Sequence, residues 1–446
     1  MEQDNSYFGT EKISKILIKI APPVMLAQLI QALYNIVDSF FVGRYSESGL
    51  TALSIIYPIQ LLMIALAVGT GVGINTSIAF NLGLKNREKA DEVAGVGTPL
   101  AVALWMIFAG ICFWGLPFYA KMQTDSPEVI RDVIVYGRIV CLAGLGLFAE
   151  SIWTKVLQAN GDMKTPMVAQ IIGAFTNIIL DPILIFGLWG MPKMGIVGAA
   201  VATVVGQIAA ALIVMPKGFK KPPHISKYLK NIISIYKVGI PNIIMQAAYT
   251  LYIFGLNMIL AEFSDQAVTT LGLYYKWQSL FYIPLGASQT CIVPIISFNY
   301  ALKSKERCKK ALSTSIISGI GFMSLGILCF ELIPAQMLGV FTSDPRVIEI
   351  GTVAFRIIGI SFVPIVTSLT FPVFFQAIGY AFKSSILTVV RTVFLFVPLG
   401  YLFSRFGLTY FWLVFPVTEI ITSLIGLVFY RSFLKKDLSE EPAVFI

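Results

Sequence analysis

The chain has 446 residues, of which 57% are hydrophobic and 13% charged, and 33 Lys and Arg against 24 Asp and Glu leave a net charge of +9. Soluble globular domains carry about 25% charged residues, so the composition excludes a soluble protein and belongs to a polytopic membrane protein. Five cysteines at no metal-ligand spacing and a single histidine, His224, leave no disulfide framework, zinc site or catalytic triad to assemble, and no enzyme is expected.

Twelve apolar runs, each long enough to cross a hydrocarbon core of roughly 30 Å, lie at about 15–42, 52–80, 94–117, 129–155, 165–188, 195–214, 233–261, 267–299, 311–333, 346–375, 384–404 and 409–430. The alternating polarity of an outer-membrane barrel is absent, so the runs read as helices. The first contains LYNIVDSFFVG (33–43), whose one carboxylate, Asp38, costs roughly 2.5 kcal/mol or more to place at the membrane centre. Gln31, Tyr34 and Asn35 precede it by seven, four and three residues and share its helix face. The second contains GTGVG (69–73), outwardly a nucleotide-binding loop, but inside a membrane helix close packing or a cleft lining explains it better. The fourth carries Glu150 on a face with Leu147, Ser151 and Thr154, placed either to line a cavity and attract a cationic substrate or to pair with Arg138 or Lys155. In the fifth, TNIILDPILIF, Asn177 and Asp181 are four apart on one face, with Gln170 two turns earlier and Pro182 directly after Asp181.

Lys and Arg cluster in the even-numbered breaks between runs, from Lys85, Arg87 and Lys89 to Lys303, Lys305 and Arg307, and at both ends, including Lys435 and Lys436. Such loops face the cytoplasm, so both termini are expected there and the positive charge is a topology signal, not a mark of nucleic-acid binding. The acidic start MEQDNSYF has no cleavage pattern, which argues against a removed signal peptide.

The sequence repeats itself at an offset of 218 residues: KIAPPVMLAQLIQALY (19–34) falls on KVGIPNIIMQAAYTLY (237–252), FNLGLKNREK (80–89) on FNYALKSKER (298–307), TDSPEVI (124–130) on TSDPRVI (342–348), and LQANG (157–161) on FQAIG (375–379). Six helices per copy is an even number, so both copies enter from the same side, as a parallel repeat about a pseudo-twofold along the membrane normal. The expected fold is an all-α membrane protein of twelve transmembrane helices in two six-helix lobes, residues 1–215 and 233–446. They are joined by a basic cytoplasmic linker at 216–232, PKGFKKPPHISKYLK (216–230) at its heart, suited to lying along anionic lipid.

The copies differ where polar groups enter the membrane. Asp38 falls opposite Leu256, Asn35 opposite Ile253, Asn177 opposite Leu395 and Asp181 opposite Leu399, so these polar groups belong to the first copy alone. Two carboxylates among amide and hydroxyl oxygens can bind a dehydrated Na⁺ or carry a proton; the alternative is a structural, hydrogen-bonded or ion-paired role. In the second copy Lys276, Arg391 and Glu419 each could pair within their lobe, while Arg138 and Arg356 match across the repeat and suit packing or an interface.

LYNIVDSFFVG, LQANGDMKTP (157–166), NIILDP and GAAVAT (198–203), with twelve helices in two related halves, resemble the multidrug and toxic compound extrusion (MATE) transporters over nearly the whole chain. The resemblance implies that Asp38 couples a cation to transport, with Asn177, Asp181 and Thr203 completing a site in the first lobe. NorM-like members also carry acids on the seventh and tenth helices; this chain has none within IPNIIMQAAYTLYIFGLNM or RIIGISFVPIVTSLTFPVFFQ, which favours the DinF-like and MepA-like arrangement. The expected function is a Na⁺- or H⁺-coupled efflux antiporter working by alternating access. Asp38, Asn177 and Asp181 would hold the ion if it is Na⁺, and Gln31, Tyr34, Asn35, Glu150 and Thr154 would contact a small organic, cationic or amphipathic substrate. No cofactor beyond the coupling ion is implied, the partners are substrate and membrane lipid, and the chain is expected to work as a monomer in a bacterial-type plasma membrane. A lipid-linked oligosaccharide or polysaccharide flippase of the same superfamily is the alternative; it would use Lys276 and Arg391 as a basic cavity for pyrophosphate.

Overall fold

The computed structural model describes residues 7–435, except for the side chains at 35, 36, 39, 47 and 250. The expected cytoplasmic tail, with Lys436, lies outside the described residues, as does most of the acidic start. Among the described residues the secondary structure is entirely helical. Nine helices are long and apolar enough to cross a membrane singly, and three bent pairs bring the number of spans to twelve, in the order expected.

Local chemistry sets where the helices begin and bend. Ser46 accepts from the Gly49 N–H, Asn86 from Lys89, Ser264 from Ala267 and Asp344 from Arg346, each satisfying a free donor of a helix start. The fourth span bends by 44° between Pro127–Leu142 and Leu145–Ala159, and the tenth by 56° between Pro345–Gly359 and Phe362–Ala377. The breaks, at Ala143 and Ser361, are 218 residues apart, so the bend belongs to the repeated unit. The eighth span bends by 51° between Asp265–Phe281 and Ile283–Ala301. Pro284 sits in the first turn after that break, where its missing N–H is not needed; the repeat places Leu66 at the same position, and the second span, Glu47–Gly83, runs unbroken through it.

Two compact units result, one running from Pro22 to Ile243 and the other comprising the described residues up to Ala21 and those from Ile244 on. In the first unit, the glycines of GTGVG admit the Tyr228–Ala261 helix at very short range. A Cβ on Gly73 would lie 2.2 Å from the Ile235 carbonyl oxygen, and one on Gly69 2.3 Å from Ile243 Cγ1. The motif is therefore a helix-packing surface. Gly173 on Lys164–Phe186 and Gly206 on Ile196–Gly218 bring the fifth and sixth spans together in the same way: a Gly173 Cβ would meet the Gly206 carbonyl at 2.8 Å. Three linker lysines are tied to helix ends of this unit, Lys217 to Asp162 at 3.3 Å, Lys220 to Asp91 at 3.5 Å, and Lys227 to Glu92.

The second unit is built around aromatic side chains. Phe330 stacks on Phe355 with centroids 4.6 Å apart, Tyr252 on Phe396 at 4.5 Å, and Tyr274 and Phe415 meet edge to face at 5.1 Å. Its eleventh span is not a plain α-helix: between Ala381–Val389 and Val397–Ser404 the chain takes seven residues of π-helix, Val390–Phe396. None of the five cysteines, Cys112, Cys141, Cys291, Cys308 and Cys329, is joined in a disulfide among the described residues.

A candidate cation and substrate site in the first unit

The first unit holds a cavity of about 690 Å³ whose walls come from five of its spans, the first, second, fourth, fifth and sixth. Gln31, Tyr34 and Asp38 enter from the first span, Ser54, Tyr57 and Gln60 from the second, Tyr136, Glu150 and Ser151 from the fourth, Gln170 and Asn177 from the fifth, and Thr203 and Gln207 from the sixth. Leu50, Leu53, Leu61, Met63, Ile64 and Val68 cover much of the remainder. An apolar chamber with a few converging polar groups is the usual form of a small-molecule site.

Asp38, Asn177, Asp181 and Thr203 converge at one wall. Asp181 is fully buried just behind the lining and stands in hydrogen-bond contact with the Asp38 carboxyl. Asn177 Nδ2 lies 3.4 Å from Asp181 Oδ1 and 3.5 Å from Thr203 Oγ1. With its amide turned over, Asn177 instead donates to Asp181 Oδ2 at 3.3 Å and accepts from the Thr203 N–H at 3.2 Å. In either orientation the amide bridges the fifth and sixth spans, at the level where Gly173 and Gly206 let them approach. Asp38 Oδ1 is buried and accepts no hydrogen bond among the described residues. Two carboxylates in contact hold one proton or one cation between them, because two bare negative charges at that range repel strongly. The unsatisfied Asp38 Oδ1 of that pair is the acceptor left open to such a charge.

Glu150 lines the cavity one wall away. It accepts from Thr154 Oγ1 at 2.8 Å. Neither expected ion-pair partner reaches it within 4.0 Å among the described residues. Lys155 Nζ donates to Gln158 Oε1 at 2.9 Å, and Arg138 stacks over the Phe113 ring at 4.9 Å while donating to the Phe113 carbonyl at 3.4 Å. Thr154 is buried behind Glu150 rather than on the cavity surface, so it orients the carboxylate instead of facing a ligand. Of the other residues expected to contact substrate, Gln31 and Tyr34 line the cavity, and the Asn35 side chain lies outside the described residues.

Five polar groups of the wall are not singled out by the sequence reading: Ser54, Tyr57, Gln60, Tyr136 and Gln207. Gln60 Nε2 donates to the Tyr136 hydroxyl at 3.5 Å, which links the second and fourth spans. Tyr57 and Gln60 recur as Tyr275 and Gln278, so a search for places where the repeat breaks passes over them. A search for intramembrane polar residues of any kind finds all five.

The MatE family model matches residues 23–183 and again 241–402, and the two matches begin 218 residues apart, the same offset as the internal repeat. The chain is 26% identical over 415 residues to the multidrug export protein MepA of Staphylococcus aureus, covering 90% of each chain. It is 25% identical over 440 residues to a probable multidrug resistance protein NorM of Thermotoga maritima, covering 94% of this chain and 93% of that one. A solved MOP-superfamily transporter from Pyrococcus furiosus shares the fold, with a TM-score of 0.90 over 98% of this chain and 99% of that chain at 22% identity. Twelve spans in two repeated halves, each matched by the same family model, make this chain a member of the MATE family of membrane transporters.

Proposed function

We propose that the chain is a cation-coupled efflux antiporter that exports small organic, cationic or amphipathic compounds by alternating access. The observation that carries this reading is the convergence of Asp38, Asn177, Asp181 and Thr203 on one wall of the 690 Å³ cavity that Glu150 also lines. An inward gradient of Na⁺ or H⁺ loads the carboxylate wall, and a substrate cation held by Glu150 and the Tyr34 and Tyr57 rings leaves as the ion enters. Coupling requires that the ion favour one conformation over the other, or that ion and substrate compete for the same carboxylates. The names of the two relatives, a multidrug export protein and a multidrug resistance protein, support the substrate class. The basic loops support a plasma-membrane location with both ends in the cytoplasm, and a cavity formed within one unit supports a monomer as the working form.

The flippase reading loses its main support. Arg391, which it needed as a pyrophosphate contact, is buried and neutralised by Glu419 at 2.5 Å, and Lys276 lies over the Phe341 ring at 5.0 Å. The test of the antiporter is uptake of a fluorescent organic cation into proteoliposomes, with Na⁺ and pH gradients imposed separately. The wild type responds to one of them, and Asp38→Asn abolishes the response while binding the dye. Gradient-driven transport at the wild-type rate by Asp38→Asn overturns the proposal.

A further inference from the structure

The second unit contains no counterpart of Asp38 or Asp181, yet it buries a carboxylate of its own. Glu419 has no exposed surface, and Arg391 is 5% exposed. The guanidinium grips the carboxylate with two nitrogens: Nε donates to Oε1 at 3.1 Å and to Oε2 at 3.0 Å, and Nη2 donates to Oε1 at 2.5 Å. Ser368 Oγ donates to Oε2 from a third helix. The same guanidinium lies 5.0 Å from the Phe396 ring centroid and 5.8 Å from that of Tyr252. A buried carboxylate with a supporting hydroxyl and two aromatic rings is the chemistry that recognises a planar organic cation.

The repeat register shows what is unusual. Arg391 occupies the position of Gly173, and Ser368 that of Glu150, both of which line the cavity in the first unit. Arg391 is also carried on the π-helical stretch Val390–Phe396, whereas the matching part of Lys164–Phe186 is α-helical. π-helical turns inside α-helices concentrate at functional sites. We infer that the second lobe holds a binding site for a guanidinium-type organic cation, which the chain fills with its own Arg391. That lobe is then permanently loaded and exchanges no ion. The assignment does not depend on the antiporter reading, since it concerns ligand binding at Glu419 and not transport.

The test is thermal unfolding of the purified full chain with millimolar methylguanidinium, against tetramethylammonium at the same ionic strength. Arg391→Ala melts below the wild type, and methylguanidinium returns at least half of the loss. Tetramethylammonium does not, and neither cation shifts the wild type or the Arg391→Ala, Glu419→Gln double variant. Arg391→Met, which fills more of the vacated volume, behaves in the same way with a smaller rescue. A single variant that fails to fold while its Glu419→Gln double folds also supports the assignment, because the buried carboxylate then lacks the cation it requires. Equal responses of single and double variants to the two cations, or doubles that fail to fold along with the singles, overturn it.

Discussion

The two lobes descend from one pattern and solve the same problem, polar groups inside a membrane, in opposite ways. In the first, the fifth span is a regular helix whose Gly173 lets the sixth span approach, and Asn177, Asp181 and Thr203 meet Asp38 beside an open cavity. In the second, the matching helix widens to a π-helix, a large cation replaces the glycine, and Glu419 is matched with Arg391 and enclosed by aromatic rings. One lobe leaves its carboxylates short of positive charge and the other supplies the charge covalently. An uncompensated buried carboxylate must be neutralised by something mobile, and a compensated one need not be. On the reading proposed above, the asymmetry divides the molecule into a half that responds to an ion gradient and a half whose buried charge is already matched.

The comparison breaks most severely if the carboxylate wall is made to look like the other lobe. Asp181→Leu installs the residue found at position 399 and removes one of the two carboxylates. Gradient-driven efflux is expected to fall by at least the roughly 10- to 100-fold that loss of a single supporting group costs a metal site. The unfolding temperature should hold or rise, because a leucine suits the interior better than a carboxylate. The reverse change, Leu399→Asp, should cost roughly 2.5 kcal/mol or more and gain no ion response. Proteoliposome flux and thermal unfolding of the two variants decide the matter: a stable Asp181→Leu with unchanged flux removes Asp181 from the coupling site.

A smaller effect separates the lobes in their packing. Gly73 and Cys291 occupy the same repeat position, and both are buried. A methyl group at Gly73 would sit 2.2 Å from a backbone oxygen that cannot turn away, so Gly73→Ala is expected to cost about 3 kcal/mol, at the upper end for overpacking. Cys291 already has a Cβ, so Cys291→Ala forces no new close contact, and losing the buried thiol is expected to cost roughly 1 kcal/mol. Thermal unfolding of both variants in one detergent measures the contrast; equal shifts would show that the close approach of Gly73 to Ile235 carries no particular weight.

Much of this was legible from residue spacing. The twelve spans were readable because hydropathy over about 20 residues is set by the bilayer and not by tertiary contacts. The Asp38 and Asp181 wall could be located because a carboxylate in such a run is conspicuous, and because the repeat pairs both with leucine. The bends were not seen. Pro284 and Pro364 each sit in the first turn after a bend, but the break at Ala143 has no proline and depends on packing that a single helix does not encode. Thr154 shows the limit of face arguments: it shares a stripe with Glu150, yet the stripe is wide enough for one residue to meet the cavity and the other to support it from behind. The Arg391–Glu419 pair was expressible only as an option, because residues 28 apart on different helices meet through the fold alone.

The mildest contrast lies in the loop between the fourth and fifth spans and its copy. Asp162 accepts from the Thr165 N–H at 2.9 Å and from Thr165 Oγ1 at 2.6 Å, with Lys217 at 3.3 Å. In the other copy Tyr380 stands at that position, with the Lys383 ammonium 5.4 Å from its ring centroid. Burial works against the charged Asp162, but the two Thr165 hydrogen bonds and Lys217 outweigh it and hold the carboxyl below its ordinary range. A lowered folded-state value means that the stabilisation is complete above the unfolded value of about 3.9 and disappears as pH falls through the folded one. Asp162→Asn keeps most of the hydrogen-bonding shape without the charge, so it should cost about 1 kcal/mol from pH 5 to pH 8. The gap to the wild type should then close as the pH drops below about 4. Thermal unfolding across that range checks this, and a gap that widens in acid would show that the carboxyl is not held charged by its neighbours. Tyr380→Phe, which keeps the ring that faces Lys383, should leave the pH profile of the other loop unchanged, because a ring face attracts the ammonium without titrating.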